Sequence, residues 1–261
     1  MNYLAHIVLL VFFTENLVRE YYAVKDLQRN GAIFLDGADQ IGSYDILERR
    51  MVPMRFDEVG YRLMNMVDPS FPRRPVRVIR FQYPPQTTGH ADIIRNLRHL
   101  RALRLVLFLD VAQASEDNLR TLRAVRQLRG ISVVGATDSC LKILGQMRQL
   151  EFLEIIPVDV EVNSEQRSCE TDRRLADHED GGGNWLTDCG IMQLSKLHHL
   201  RMLVVHFDDR PRITGKAIAS LRSLPQLQVL IIVISGAFDP EVYDAIAELQ
   251  NELPYLKVEI E

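Results

Sequence analysis

The chain has little of what usually announces a chemistry. Three cysteines, Cys140, Cys169 and Cys189, cannot all pair with one another and show no zinc-like spacing, so neither a disulfide framework nor a cysteine metal site is indicated. His198-His199 lies before a predicted strand containing His206, but no Cys, Asp or Glu stands at a supporting spacing, and the pair reads as turn residues. There is no glycine-rich phosphate loop, no nucleophile elbow and no convergent acid–base pair. No catalytic residue, metal ligand or cofactor is therefore expected, although catalytic groups can converge in space without converging in sequence.

The chain also lacks a run near the roughly 20 apolar residues that span a bilayer. Tyr3 to Phe13 is an apolar stretch of eleven residues broken only by His6, without the basic leader and small-residue cleavage site of a secretory signal. Thr14, Glu15 and Asn16 then set a polar boundary. Three readings stay open: a buried cap helix, which the length favours, a shortened membrane anchor, and a degenerate export signal. A helix over Asn16 to Asn30, capped by Gly31, should lead into a short strand at Ala32 to Asp36. Six prolines make residues 51–90 irregular, except for a first strand at Pro75 to Ile79.

What is present is a leucine lattice. It reads Leu100-x-x-Leu103-x-Leu105, Leu128-x-x-Ile131-x-Val133, Leu150-x-x-Leu153-x-Ile155, Leu200-x-x-Leu203-x-Val205, Leu227-x-x-Leu230-x-Ile232 and Leu253-x-x-Leu256-x-Val258. Its third position returns after 28, 22, 50, 27 and 26 residues. A fixed period of this size marks a stack of units, none of which can bury its apolar face alone. Between the blocks, pairs such as Leu119/Leu122, Leu141/Leu144, Ile191/Leu194, Ile218/Leu221 and Ile246/Leu249 put two apolar side chains on one helical face. Four residues before each pair stand Ser115, Thr137, Thr187 and Thr214, suited to helix N-caps, with Val242 the exception.

These residues resemble the leucine-rich repeat family, in particular its subclass with a Thr-Asp-x-Gly-Leu helix start. Thr187-Asp188-Cys189-Gly190-Ile191 carries the likeness most fully, with Thr137-Asp138-Ser139-Cys140-Leu141 and Ile213-Thr214-Gly215 in part. Arg19 to Gly31 is similar to the helix that follows a membrane anchor in planctomycete-type bacterial repeat proteins. The resemblance implies an α/β, right-handed leucine-rich repeat solenoid, with parallel strands on a concave face and helices on a convex face. Residues 1–75 would form an N-terminal hydrophobic, helical and capping region. Residues 76–261 would form the repeat domain, with an acidic insertion at about 157–186. The family's asparagine ladder is missing, and the 22-residue interval is short for it.

Charge is unevenly distributed. Residues 71–130 hold twelve arginines against four acids, residues 131–261 hold 12 basic and 21 acidic side chains, and residues 1–70 hold 7 and 10. In a stack, sequence order is spatial order, so one end should be basic and the other acidic. Arg95, Arg98, Arg101 and Arg104, then Arg120, Arg123, Arg126 and Arg129, recur every three residues. Solvated turn arginines are the simplest account; rows of this kind also suit phosphates or anionic headgroups. Aromatic side chains are sparse there, so nucleic acid is not an expected partner.

Strand alternation assigns to the concave face Arg104 and Val106, Ser132 and Val134, Glu154 and Ile156, Val204 and His206, Ile231 and Val233, and Lys257 and Glu259, flanked by Phe152, Met202, Val229 and Tyr255. Such an apolar surface implies a protein partner, or one of the chain's own segments folded over it. The expected function is a non-catalytic interaction scaffold that binds a protein through Phe152, Glu154, Val204, His206, Ile231, Val233 and Tyr255 and through the acidic insertion. That insertion reads as a surface segment in preference to a calcium loop, since no glutamate closes the spacing. The alternative is a membrane-tethered or peripheral repeat protein held by residues 3–13, its basic block facing anionic headgroups. The location is accordingly either cytoplasmic or membrane-associated.

Overall fold

The computed structural model describes residues 3–30, 32–35, 68, 72, 76–81, 90–111, 114–156, 186–207, 213–234 and 238–261. Helix α1 (Tyr3–Arg29) precedes strands β1 (Ile33–Leu35) and β2 (Val78–Arg80). Strands and helices then alternate: α2 (His90–Leu97), β3 (Leu105–Asp110), α3 (Glu116–Leu122), β4 (Gly130–Val134), α4 (Asp138–Leu144) and β5 (Phe152–Ile156). They continue with α5 (Asp188–Gln193), β6 (Met202–Phe207), α6 (Gly215–Ser220), β7 (Val229–Ile234), α7 (Pro240–Glu252) and β8 (Lys257–Ile260). The strands form one eight-stranded sheet in strict sequence order. All pairings are parallel except β1 with β2. The result is an α/β stack of strand–helix units.

The apolar lattice explains the stack. One continuous buried cluster joins strand residues such as Ile131, Leu153, Leu203 and Leu230 to helix residues such as Leu119, Leu141, Ile191, Ile218 and Ile246. Because successive strand side chains alternate faces, the remaining strand positions lie on the other side of the sheet. The sequence frame slips in the first block. Val106, and not Leu103, pairs with Ile131, Leu109, and not Leu105, pairs with Val133, and a bulge between Val106 and Leu109 places Phe108 at φ 57°. Leu103, Val106 and Leu109 therefore face the helices, while Leu105 and Leu107 face away. This reverses the assignment of Val106 to the open side. In the last block Val258 pairs with Leu230, one lattice position earlier than expected.

Helix starts lock the units together. Ser115, Thr137, Thr187 and Thr214 each accept a backbone N–H from their own first turn, at 3.2–3.3 Å. The aspartates that follow Thr137 and Thr187 reach the next unit. Asp138 accepts from Thr187 N (3.0 Å) and Thr187 Oγ1 (2.5 Å), and Asp188 accepts from Thr214 N and Oγ1, both at 2.7 Å. The glycine of the motif makes room for this ladder: a Cβ at Gly190 would sit 2.9 Å from Asp138 Cγ and collide with its Oδ1. In α7 the sequence breaks the pattern, and there Asp239 makes no side-chain cap and Pro240 opens the helix.

The 50-residue interval adds no unit to the stack among the described residues. β5 pairs directly with β6, and Asp138 bonds Thr187 across it. The additional length falls between the end of β5 and the start of α5, and residues 157–185 of the acidic stretch lie outside the described residues.

The first unit is covered from the N-terminal side. Tyr3–Arg29 is a single helix, continuous through the polar boundary at Thr14–Asn16. Ala23, Val24 and Leu27 join the main core. Asn96 Nδ2 donates to Asp26 Oδ2 at 2.5 Å, Tyr21 Oη donates to Asp68 Oδ2 at 2.9 Å, and Lys25 Nζ lies 2.6 Å from the same carboxylate oxygen. α1 thus runs antiparallel to α2, and Ile33 follows it opposite Arg80 at the far end of β2. No helix of the described residues is long and apolar enough to cross a membrane.

Candidate functional site

The sheet face turned away from the helices is set by register. One row runs Val78, Leu105, Gly130, Phe152, Met202, Val229, Lys257, and the next runs Ser132, Glu154, Val204, Ile231, Glu259. His206 pairs with Val233 in a third row. Val78, Leu105, Leu107, Phe152, Met202 and Val204 form a second buried apolar cluster, with Phe108, Val229, Ile231 and Val233 packed on it half-buried. Exposure rises along the stack: Phe152 is 1% and Val204 7% exposed, Ile231 and Val233 are half-buried, and Lys257 is exposed.

Across β5–β7 one polar pair interrupts this face. Glu154, buried, lies 3.2 Å from Nε2 of His206, which stands diagonally across β6. A carboxylate removed from water is costly unless partnered, and the imidazole provides a partner. Ser132 lies directly opposite Glu154 on the other side, fully buried, with its Oγ making no hydrogen bond. The carboxylate therefore stands between hydroxyl and imidazole. A Ser–His–acid triad needs the imidazole in the middle, so this row does not activate Ser132 as a nucleophile. Among the described residues no group of three or more His, Cys, Asp or Glu could hold a metal ion. His198 and His199 are exposed turn residues.

Of the seven residues singled out from sequence, the register brings six onto this face in β5, β6 and β7. Tyr255 lies elsewhere, in the turn before β8. It is 55% exposed, and its hydroxyl donates to the carbonyl of Pro225 at 3.0 Å. Arg104 is likewise not on the face. It stands at strand entry, and its guanidinium donates to the carbonyls of Leu103 (3.1 Å) and Gln127 (3.2 Å).

That strand-entry edge is the feature that sequence spacing alone left unplaced. Arg77, Arg104, Arg129, Glu151, Arg201, Gln228 and Lys257 are joined by an unbroken backbone ladder, each N–H donating to the preceding carbonyl at 2.6–2.9 Å. Arg129 and Arg201 flank Glu151, each with Nε 3.8 Å from a carboxylate oxygen. Three residues before entry, Arg101, Arg126 and Arg148 are exposed, and none forms an ion pair among the described residues. Later turns carry His198, Pro225 and Pro254 at this position. Burial, then the charges of Arg129 and Arg77, hold the Arg104 guanidinium below its ordinary pKa. Burial, then Arg98 and Arg19, hold His99 in the neighbouring turn below 6.5. Arg19 of α1 thus acts on the turn that follows α2.

The opposite edge is acidic. Among the described residues Asp110, Glu116, Asp117, Asp138, Asp188, Asp239 and Glu241 lie where strands end and helices begin, with Arg80 and Lys216 as cations there and Arg120 ion-paired to Glu116 and Asp117. Charge is thus segregated across the sheet as well as along the chain. The helix dipoles favour this arrangement, with acids at their N-termini and cations at their C-termini.

No protein-family model matches the chain, and no curated protein is similar to it in sequence.

Proposed function

We propose that the protein is a non-catalytic interaction module of the leucine-rich repeat type, whose open sheet face is the concave surface of a right-handed solenoid. The capped strand–helix units, their sequential parallel order and the Thr–Asp ladder favour this reading. Its partner is a protein, bound along β5–β7 at half-buried His206, Ile231 and Val233, with buried Phe152, Glu154 and Val204 forming the support beside them. Tyr255 extends the contact from the neighbouring turn, and the acidic 157–186 segment extends it from the end of β5.

The observation that carries the reading is the in-register apolar row across β5–β7, whose side chains are half in water at β7 while its one carboxylate is held by His206. Half-exposed contiguous apolar surface with a fixed polar pair is the usual make-up of a protein-binding core. The test is capture of the partner from an extract of the source cells with wild type and with Ile231→Asp plus Val233→Asp. Loss of at least about tenfold in capture, equivalent to one well-buried contact of about 1.4 kcal/mol, is expected with an unchanged circular dichroism spectrum. Undiminished capture by a folded variant removes the open face as the binding surface.

A further inference from the structure

The strand-entry edge carries an inference independent of the open face. Arg101, Arg126 and Arg148 occupy the same place in three successive turns and face water without an acid partner among the described residues. Successive strands lie about 4.8 Å apart, so the fold holds three like charges in a row roughly 10 Å long. Self-repulsion makes such a row costly by itself, and an anionic surface would relieve it.

A second observation meets it at the same edge. The packed part of α1 runs antiparallel to α2, with Asp26 on Asn96 and its C-terminal end leading to Ile33 opposite Arg80, where β2 ends. The helix therefore enters the stack from the side on which the strands begin. Upstream in the same helix lies the apolar stretch Tyr3–Phe13. Eleven residues make about 16 Å of helix, around half of a bilayer's hydrocarbon thickness. That length suits insertion into one leaflet or its interface. An apolar helix and a basic row are the two signals whose combination gives stable peripheral attachment, where either alone is marginal.

We propose that this edge docks on an anionic membrane surface, with Arg101, Arg126 and Arg148 against acidic headgroups and the opening stretch of α1 in the interfacial zone. Nucleic acid fits less well, because it offers nothing to an apolar helix and the edge presents few aromatic side chains for base stacking.

The test is co-sedimentation of the full chain with vesicles of phosphatidylcholine alone or mixed with phosphatidylserine, at low and high salt. Binding to the mixed vesicles that weakens as salt rises is expected. R101Q/R126Q/R148Q should lower the partition coefficient about fivefold per arginine and roughly 100-fold together, with unchanged circular dichroism. R101K/R126K/R148K should keep binding near wild type, because headgroups at an interface are met by charge and not by a fixed fork geometry. Equal binding to neutral vesicles, absence of binding, loss of binding in the lysine variant, or preference for a single-stranded oligonucleotide over vesicles would each overturn the proposal. None of these outcomes bears on partner capture by the open face.

Discussion

The edge at which the strands end and the edge at which they begin use charge differently. At the first, the carboxylates work inside the fold: Asp138 and Asp188 each satisfy a backbone N–H and a hydroxyl of the next unit. At the second, Arg104 and Arg129 stitch carbonyls of adjoining turns, but Arg101, Arg126 and Arg148 form no ion pair among the described residues. Charges committed to the fold should prove costly to remove, whereas uncommitted charges should not. Charged side chains are thus committed to the fold at one edge and in part left to solvent at the other.

The sharpest way to break this comparison is at the Asp138–Gly190 contact. Asp138→Ala strands the N–H and hydroxyl of Thr187 and should cost about 2–3 kcal/mol in chemical denaturation. Gly190→Ala drives a methyl group into the Asp138 carboxylate and should cost about 1–3 kcal/mol. Because the two changes meet at one carboxylate, the double variant should be less destabilised than the sum, by about 1 kcal/mol. Strict additivity would mean that the ladder does not couple neighbouring units.

On the basic edge the same measurement should give almost nothing. R101Q/R126Q/R148Q should change stability by within about 0.5 kcal/mol, as for exposed surface positions. A larger loss would make these arginines part of the fold and weaken the case for an external anion.

The smallest effect concerns pH. The folded-state pKa of His99 lies below 6.5, so the unfolded chain takes up the proton first. Its contribution to stability is full above about 6.5 and is lost as the pH falls through the folded value. His99→Gln should flatten that part of a stability–pH curve while leaving the rest in place. An unchanged slope would mean that burial and the charges of Arg98 and Arg19 do not hold His99 down in the folded chain.

Much of the fold was legible in the residues alone. Ser115, Thr137, Thr187 and Thr214 were readable as caps because a hydroxyl four residues before an apolar pair has few other uses. The lattice read correctly from β4 to β7. It failed at Leu105, because the frame of the first block runs three residues later than the leucines suggest: Leu103, Val106 and Leu109 face the helices, and only pairing with β4, with its bulge between Val106 and Leu109, reveals this. The 50-residue interval likewise does not say by itself which strands adjoin across it. Pairing of β5 with β6 decides that, since hydrogen bonds between strands are indifferent to the length of chain that joins them.

By itself, then, the sequence determined the repeating unit, its capped helix starts and the alternation that gives the sheet two faces, because these depend on side chains only a few residues apart. Tertiary structure decided the rest. It placed Glu154 between Ser132 and His206, aligned Asp138 with Thr187 across 49 residues, and gathered arginines from three turns onto the edge from which α1 enters. Those relations join residues of different strands and turns, and only the register of strand on strand brings them within reach of one another.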